Sequence, residues 1–255
     1  MTIPCIYEPD GNLFIPTKLA FSPWERNKQN GVALAGLLTH LLEQIPNEIP
    51  FTVTRLSIDI LAAAPAKPTS GRSRIIRPGK RIQLAEAELL VDEIPVARAT
   101  ALSVRVAESP ICDGINPYPS PETVEGIKFE GAPHFGYSIE ARAVHGAMRT
   151  PGPATAWVRF AHQHVAGVPL TPLVRTATLA DFCSGFGSDL PPDGWSFPNV
   201  DITIHFTRAP VGEWLLIDTE FRSAGNGTAI ASGILADRQG PFARAYQSLF
   251  VSHRL

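Results

Sequence analysis

Cysteine is scarce in this chain: three in 255 residues, Cys5, Cys112 and Cys183, none in a CxxC pair. An odd, scattered set excludes a disulfide framework and a zinc-ribbon spacing, and suits a reducing compartment. Charge of either sign is also scarce, at 18% of residues with a net charge of −2. That leaves no long-range pull toward nucleic acid or an anionic membrane surface. No long apolar run is present. The longest, Gly31–Leu42, is too short to span a bilayer and contains His40. The opening MTIPCIYEPDG has no basic segment followed by an apolar one, so no signal peptide is expected. These absences point to a cytoplasmic protein without nucleic-acid partners or membrane insertion.

Hydrophobic residues, by contrast, make up 44% of the chain, enough for one large core or two small ones. Proline is abundant and clusters in Ser109–Pro121, SPICDGINPYPSP, which can continue neither a helix nor a central strand. This divides the chain into a first half, residues 1–108, a Pro-rich linker, 109–126, and a second half, 127–255. The halves read alike. IPVARATALSV, from Ile94, returns as GPFARAYQSLFV, from Gly240, and ILAAAP at Ile60 lines up with HFTRAP at His205.

Each half has one apolar helix followed by long strands. In the first, leucines at helical spacing between Leu34 and Leu42 follow Asn30 as N-cap, and Pro46 stops the run. In the second, LTPLVRTATLADFCSGFG predicts a helix with Thr171 as N-cap, Pro172 in its first turn and Gly185 near its end. A helix apolar on most sides must be covered on most sides, and a curved antiparallel sheet does this.

This order resembles two tandem hotdog folds, an α+β double hotdog with each sheet wrapped around one central helix. LADF at Leu179–Phe182, VDITIHFTRAPVGEWLLIDTEFRSA at Val200–Ala224 and ARAYQSLFV near the end are similar to the bacterial acyl-CoA thioesterase II family. The resemblance implies hydrolysis of an acyl-CoA substrate to free acid and coenzyme A, with no metal, nucleotide or redox cofactor. It also implies that an aspartate, a glutamine and a hydroxyl residue position and polarise the attacking water. By motif the first two fall on Asp181 and Gln247. The third position holds Asn199, where the family usually has Thr or Ser.

The residues support a site independently. Period-two alternation puts Gln247 on a small, apolar face with Ala243, Ala245 and Leu249, where its amide needs partners. A core glutamine tied to backbone satisfies that need equally well. Asp181, late in its helix among apolar neighbours, suits a general base, although a solvent-facing aspartate at a frayed end fits the same pattern. In the first half Ala101 replaces the glutamine and the helix has no acid but Glu43, which predicts one active half and one silent half.

The amides of Asn30, Gly31 and Val32 at the first helix's N-terminus could bind the thioester oxygen; an ordinary N-cap is the alternative. In GRSRIIRPGKR, Arg77 and Lys80 could grip coenzyme A phosphates, or form a charged hairpin edge. Cys183 as nucleophile would need a base such as His205 nearby. His162 and His164 would need a third ligand, His134 or Asp201, to hold a metal. Asn199, Asp201, Thr203 and His205 share one face by alternation, as exposed surface or as a site wall. Two other functions fit the fold: an enoyl-thioester hydratase or dehydratase, which wants a His–acid pair, and a non-catalytic acyl-CoA or lipid-binding module. Homo-oligomers through sheet edges are also expected.

Overall fold

A computed structural model describes residues 3–112, 116–127, 138–146, 150–191 and 194–254. The first half contains β1 (Cys5–Asp10), β2 (Leu13–Pro16), α1 (Gly31–Glu43), β3 (Phe51–Ile60), β4 (Thr69–Arg77), β5 (Ile82–Val91) and β6 (Ile94–Arg105). The second contains β7 (Gly126–Ile127), β8 (Ile139–His145), β9 (Ala154–Phe160), β10 (Gln163–Val165), α2 (Pro172–Ala180) and α3 (Cys183–Gly187). It continues with β11 (Trp195–Ser196), β12 (Asp201–Phe206), β13 (Leu215–Ser223), β14 (Thr228–Asp237), β15 (Gly240–Phe250) and β16 (Ser252–His253).

Fourteen strands form one continuous sheet, in the order β10-β1-β2-β4-β5-β6-β3-β12-β15-β14-β13-β9-β8-β7. The halves join where β3 pairs antiparallel with β12, with Ser57 opposite Thr203. An approximate twofold axis passes through that pair. The partner of Ser57 on β6 is Thr100, and the partner of Thr203 on β15 is Tyr246, at the same offset along the chain. The repeat legible in sequence is therefore a spatial repeat. The two hotdogs also exchange an element, since β10 of the second half pairs parallel with β1 of the first.

Alternation does most of the work in the long strands. On β5, Gln83, Ala85, Ala87, Leu89 and Val91 are buried while the intervening residues are not. Small residues there and on β6 let the sheet close on α1, which buries every residue from Val32 to Thr39. Leu34, Leu37 and Leu38 are almost fully buried, and each contributes roughly 1.5–3 kcal/mol. The turn between β5 and β6 uses Asp92 and Glu93, both with positive φ, as a two-residue hairpin requires.

Two details depart from the alternation. Phe242 is fully buried rather than sharing the exposed face of Arg244, because a register shift lies between Leu235 and Ala236 opposite it. Asn199 does not share the face of Asp201, Thr203 and His205. Val200 N–H bonds Ser248 O while Ser248 N–H is taken by the Asp201 carboxylate, so Val200 and Asp201 together oppose one residue. The first half has the same irregularity between Val53 and Arg55. Finally, the free edges of the long sheet among the described residues are β10 and β7, three and two residues long, which offer little to edge pairing.

Candidate active site

The predicted second helix is broken at Asp181. α2 ends at Ala180, Phe182 N–H reaches back to Leu179 O, and α3 restarts at Cys183. Such a break leaves carbonyls and amides without intrahelical partners. Gln247, buried on β15, supplies them. Its Nε2 donates to Ala180 O at 3.0 Å and to Asp181 O at 3.1 Å, and its Oε1 accepts from Ser184 N–H at 3.1 Å. All three bonds go to backbone. Both amide hydrogens are spent on the turn that carries Asp181, so in this geometry Gln247 positions the aspartate.

The Asp181 side chain points across the interface between halves, to the start of α1. Asn199 Nδ2 donates to Asp181 Oδ1 at 2.9 Å. The Val32 N–H of α1 lies by the same carboxylate and favours its charged form. Gly31 closes against it from the other side: a Cβ there would overlap Asp181 Oδ1 and lie 3.1 Å from Asn199 Oδ1. Burial pushes the Asp181 carboxyl up to about 6, against the opposing effect of the Asn199 and Val32 hydrogen bonds. The Asn199 donor leaves further acceptor capacity on the carboxylate for a water.

The structure thus gathers Asp181, Asn199, Gln247, Gly31 and Val32. Asn30 adjoins them, but its polar groups are engaged. Its Oδ1 caps Ala33 N–H, its Nδ2 bonds Leu19 O and Phe21 O, and its N–H bonds Ala20 O. Arg77 and Lys80 lie elsewhere, at the β4–β5 hairpin, with β5, β6 and β3 between β4 and β12. Their neighbours Arg72 and Arg74 pair with Glu88 and Glu86 across the hairpin.

Cys183 is fully buried, and burial together with the Asp181 charge raises its thiol far above the usual range, which suits packing and not nucleophilic attack. His205 is exposed on the sheet face away from the helices, so it does not serve Cys183. Among the described residues no three His, Cys, Asp or Glu side chains are grouped to hold a metal; His134 lies outside them. Sequence reasoning missed the use of His164. Its Nε2 lies 3.0 Å from Ala33 O in the first turn of α1, and its ring occupies the space left by Gly36. Desolvation lowers its pKa to about 3, so the ring is neutral and Nε2–H donates. A glycine inside a helix, costing about 1 kcal/mol against alanine, was the available signal.

At the twofold-related place Gln247 and Asn199 have no counterparts. Ala101 and Val53 stand where Gln247 and Asn199 stand, judged by the pairing of β3 with β6 and of Asn199 with Leu249. The acid there is Glu43, and it accepts from the Thr171 hydroxyl at 2.6 Å.

A carboxylate of raised pKa, held by Asn199 where two hotdogs meet, can accept a proton from a bound water. The family model for the acyl-CoA thioesterase C-terminal domain matches residues 112–251, and that for the N-terminal domain matches residues 21–104. The chain belongs to the acyl-CoA thioesterase family. Its members are thioester hydrolases. No curated protein matches it in sequence. Among solved structures, a hot dog fold protein of unknown function from Alicyclobacillus acidocaldarius is 16% identical with a TM-score of 0.76, covering 96% of this chain and 94% of that one. An acyl-CoA thioesterase II from Mycobacterium marinum is 17% identical with a TM-score of 0.65, covering 96% and 94%. At such identity these likenesses show the double-hotdog fold of this thioesterase. No described helix is long and apolar enough to cross a membrane.

The bracing role of Gln247 has a measurable consequence for this thioesterase. Gln247→Leu leaves the Ala180 and Asp181 carbonyls and the Ser184 amide unpaired, and is expected to cost about 2–4 kcal/mol of stability in chemical denaturation. A loss below about 0.5 kcal/mol would mean that the break is held by other contacts.

Proposed function

We propose that this thioesterase hydrolyses acyl-CoA with Asp181 as general base. The observation that carries the reading is the Asp181 carboxyl, raised to about 6 and oriented by Asn199 and Val32 across the junction of the two halves. A water bound to the carboxylate loses a proton to it while its oxygen attacks the thioester carbon. The tetrahedral oxyanion then collapses, the C–S bond breaks, and the proton held by Asp181 passes to the leaving thiolate. Acid and free coenzyme A balance thioester and water. Asn199 and Gln247 act on Asp181 and are positioning residues.

Of the three amides at this helix start, that of Asn30 is bonded to Ala20 O and that of Val32 lies by Asp181, which leaves the Gly31 N–H to meet the developing oxyanion. The first half, lacking counterparts of Asn199 and Gln247, is silent; its contribution is the N-terminus of α1. The reaction needs no metal or redox cofactor. A hydratase reading gains nothing from two candidate histidines: His164 faces Ala33 O and His205 lies on the outer face.

The test is thiol release from a panel of acyl-CoAs, short, long and aromatic, with a coupled thiol reagent. Release with at least one member, at rates well above the uncatalysed reaction, is the expected result. Saturable binding without release across the panel would favour a binding module, and water addition to an enoyl-CoA would favour a hydratase.

A further inference from the structure

The outer face of the sheet carries a charge pattern that the twofold axis makes readable. In the first half, Arg98 sits among acids. It pairs with Asp59 at 2.9 Å, its cross-strand neighbour on β5 is Glu88, and Asp59 lies opposite Asp201 on β12. The twofold-related residue is Arg244 on β15. Its neighbours in register are His205, where the first half has Asp59, and Ile234, where it has Glu88. His205 in turn lies opposite Arg55, where the other row has Asp201. Every acid around Arg98 is thus replaced around Arg244.

Among the described residues neither Arg244, Arg55 nor His205 has an ion pair, and Arg55 Nε is buried without a hydrogen-bond acceptor. The nearest acids are already engaged. Asp218, beyond Ile234 in the same row, accepts from Tyr118 and Thr155 hydroxyls. Asp237 is neutralised by Arg208 at 2.6 Å and by the Val211 and Gln239 amides.

A cavity of about 190 Å³ opens at this place, lined by His205, Arg244, Ile234, Phe206, Pro241 and Phe242 among others. It has an apolar floor and a cationic rim. It lies at the C-terminal end of β12, whereas Asn199 precedes the N-terminal end, about 20 Å away along an extended strand. Gln247 and Arg244 face opposite sides of β15.

We propose that this cavity is a second site, distinct from the Asp181 cluster, for a small organic anion: a carboxylate or phosphate head on an apolar body. The head meets Arg244, with His205 and Arg55 beside it, as charge-assisted hydrogen bonding favours. The body covers Ile234 and Pro241. The inference does not depend on the proposed catalytic chemistry, and its test uses no turnover.

Isothermal titration with octanoate, coenzyme A and inorganic phosphate is the experiment, on wild type, Arg244→Gln, and the double variant His205→Asp with Ile234→Glu. The double variant restores the acids of the first-half row and leaves Arg244 in place. Saturable binding of octanoate or coenzyme A is expected, weakened about tenfold or more in both variants and unchanged in Asp181→Asn. Octanoate alone identifies a carboxylate ligand and coenzyme A alone a phosphate. Absence of saturable binding, binding that both variants retain, or loss in Asp181→Asn instead would overturn the proposal. Inorganic phosphate binding as tightly as either organic ligand would remove the role of the apolar floor and overturn it as stated.

Discussion

Asp181→Asn is expected to lower kcat for thioester hydrolysis by about 10³-fold while leaving the fold intact, the scale on which a positioned general base acts. Asparagine keeps an acceptor for the Asn199 or Val32 donor, so the pocket retains its shape and loses only the ability to take a proton. The same group sets the pH profile. With its carboxyl raised to about 6, Asp181 is ionised above that pH and protonated below it. Log kcat/KM is therefore expected to be flat above about pH 7 and to fall with unit slope below about 6.

Stability runs the other way. A carboxyl whose folded pKa is raised favours the folded state most when protonated, below the ordinary carboxylate range, and that contribution is lost as pH rises through about 6. Asp181→Asn is accordingly expected to be at least as stable as wild type at pH 8, by thermal denaturation. A folded variant with undiminished turnover would remove Asp181 from the chemistry. A variant that is markedly destabilised at pH 8 would show that the carboxylate serves chiefly to hold α1 against α2.

Gly31→Ala should be nearly as damaging to turnover although it adds a single methyl group. The new Cβ would overlap Asp181 Oδ1 and crowd Asn199 Oδ1 at 3.1 Å. The flexible carboxylate gives way before the backbone does, so the fold survives and the base is displaced. A displacement of about 1 Å costs on the order of 10²-fold in rate. Steady-state kinetics should show the loss in kcat, with a melting temperature near that of wild type, since alanine is the better helix former. Retained kcat would mean that Asp181 need not sit against α1 to work. A conformational reason for the glycine is excluded, because its φ is not in the positive region.

The two predictions mark different kinds of legibility. Asp181 and Gln247 are singled out in sequence by the resemblance of LADF and ARAYQSLFV to the family, and each is also polar in an apolar run. The repeat itself, Ala-Arg-Ala twice, was visible because alternation in a long strand is local. So were the N-caps Asn30 and Thr171, each of which bonds the amide three residues on. The sequence by itself determined two strand-rich halves, an apolar helical segment in each, and a Gln247 that Ala101 replaces in the first half.

Tertiary structure decided how those residues meet. The break of the second helix at Asp181 depends on Gln247, which lies far along the chain on another strand, and no helix propensity near Asp181 announces it. Glycine at position 31 reads locally as the first residue of a helix; only the contact across the two halves shows that a side chain there would strike Asp181. The face of Asn199 was misassigned by alternation because the irregularity at Val200 changes the parity of the strand, and that irregularity is fixed by pairing with Ser248. That Arg244 lacks the acids found around Arg98 is invisible along the chain for the same reason. Charge neighbours in a sheet belong to different strands, so their identity follows from register, which only the closed sheet sets.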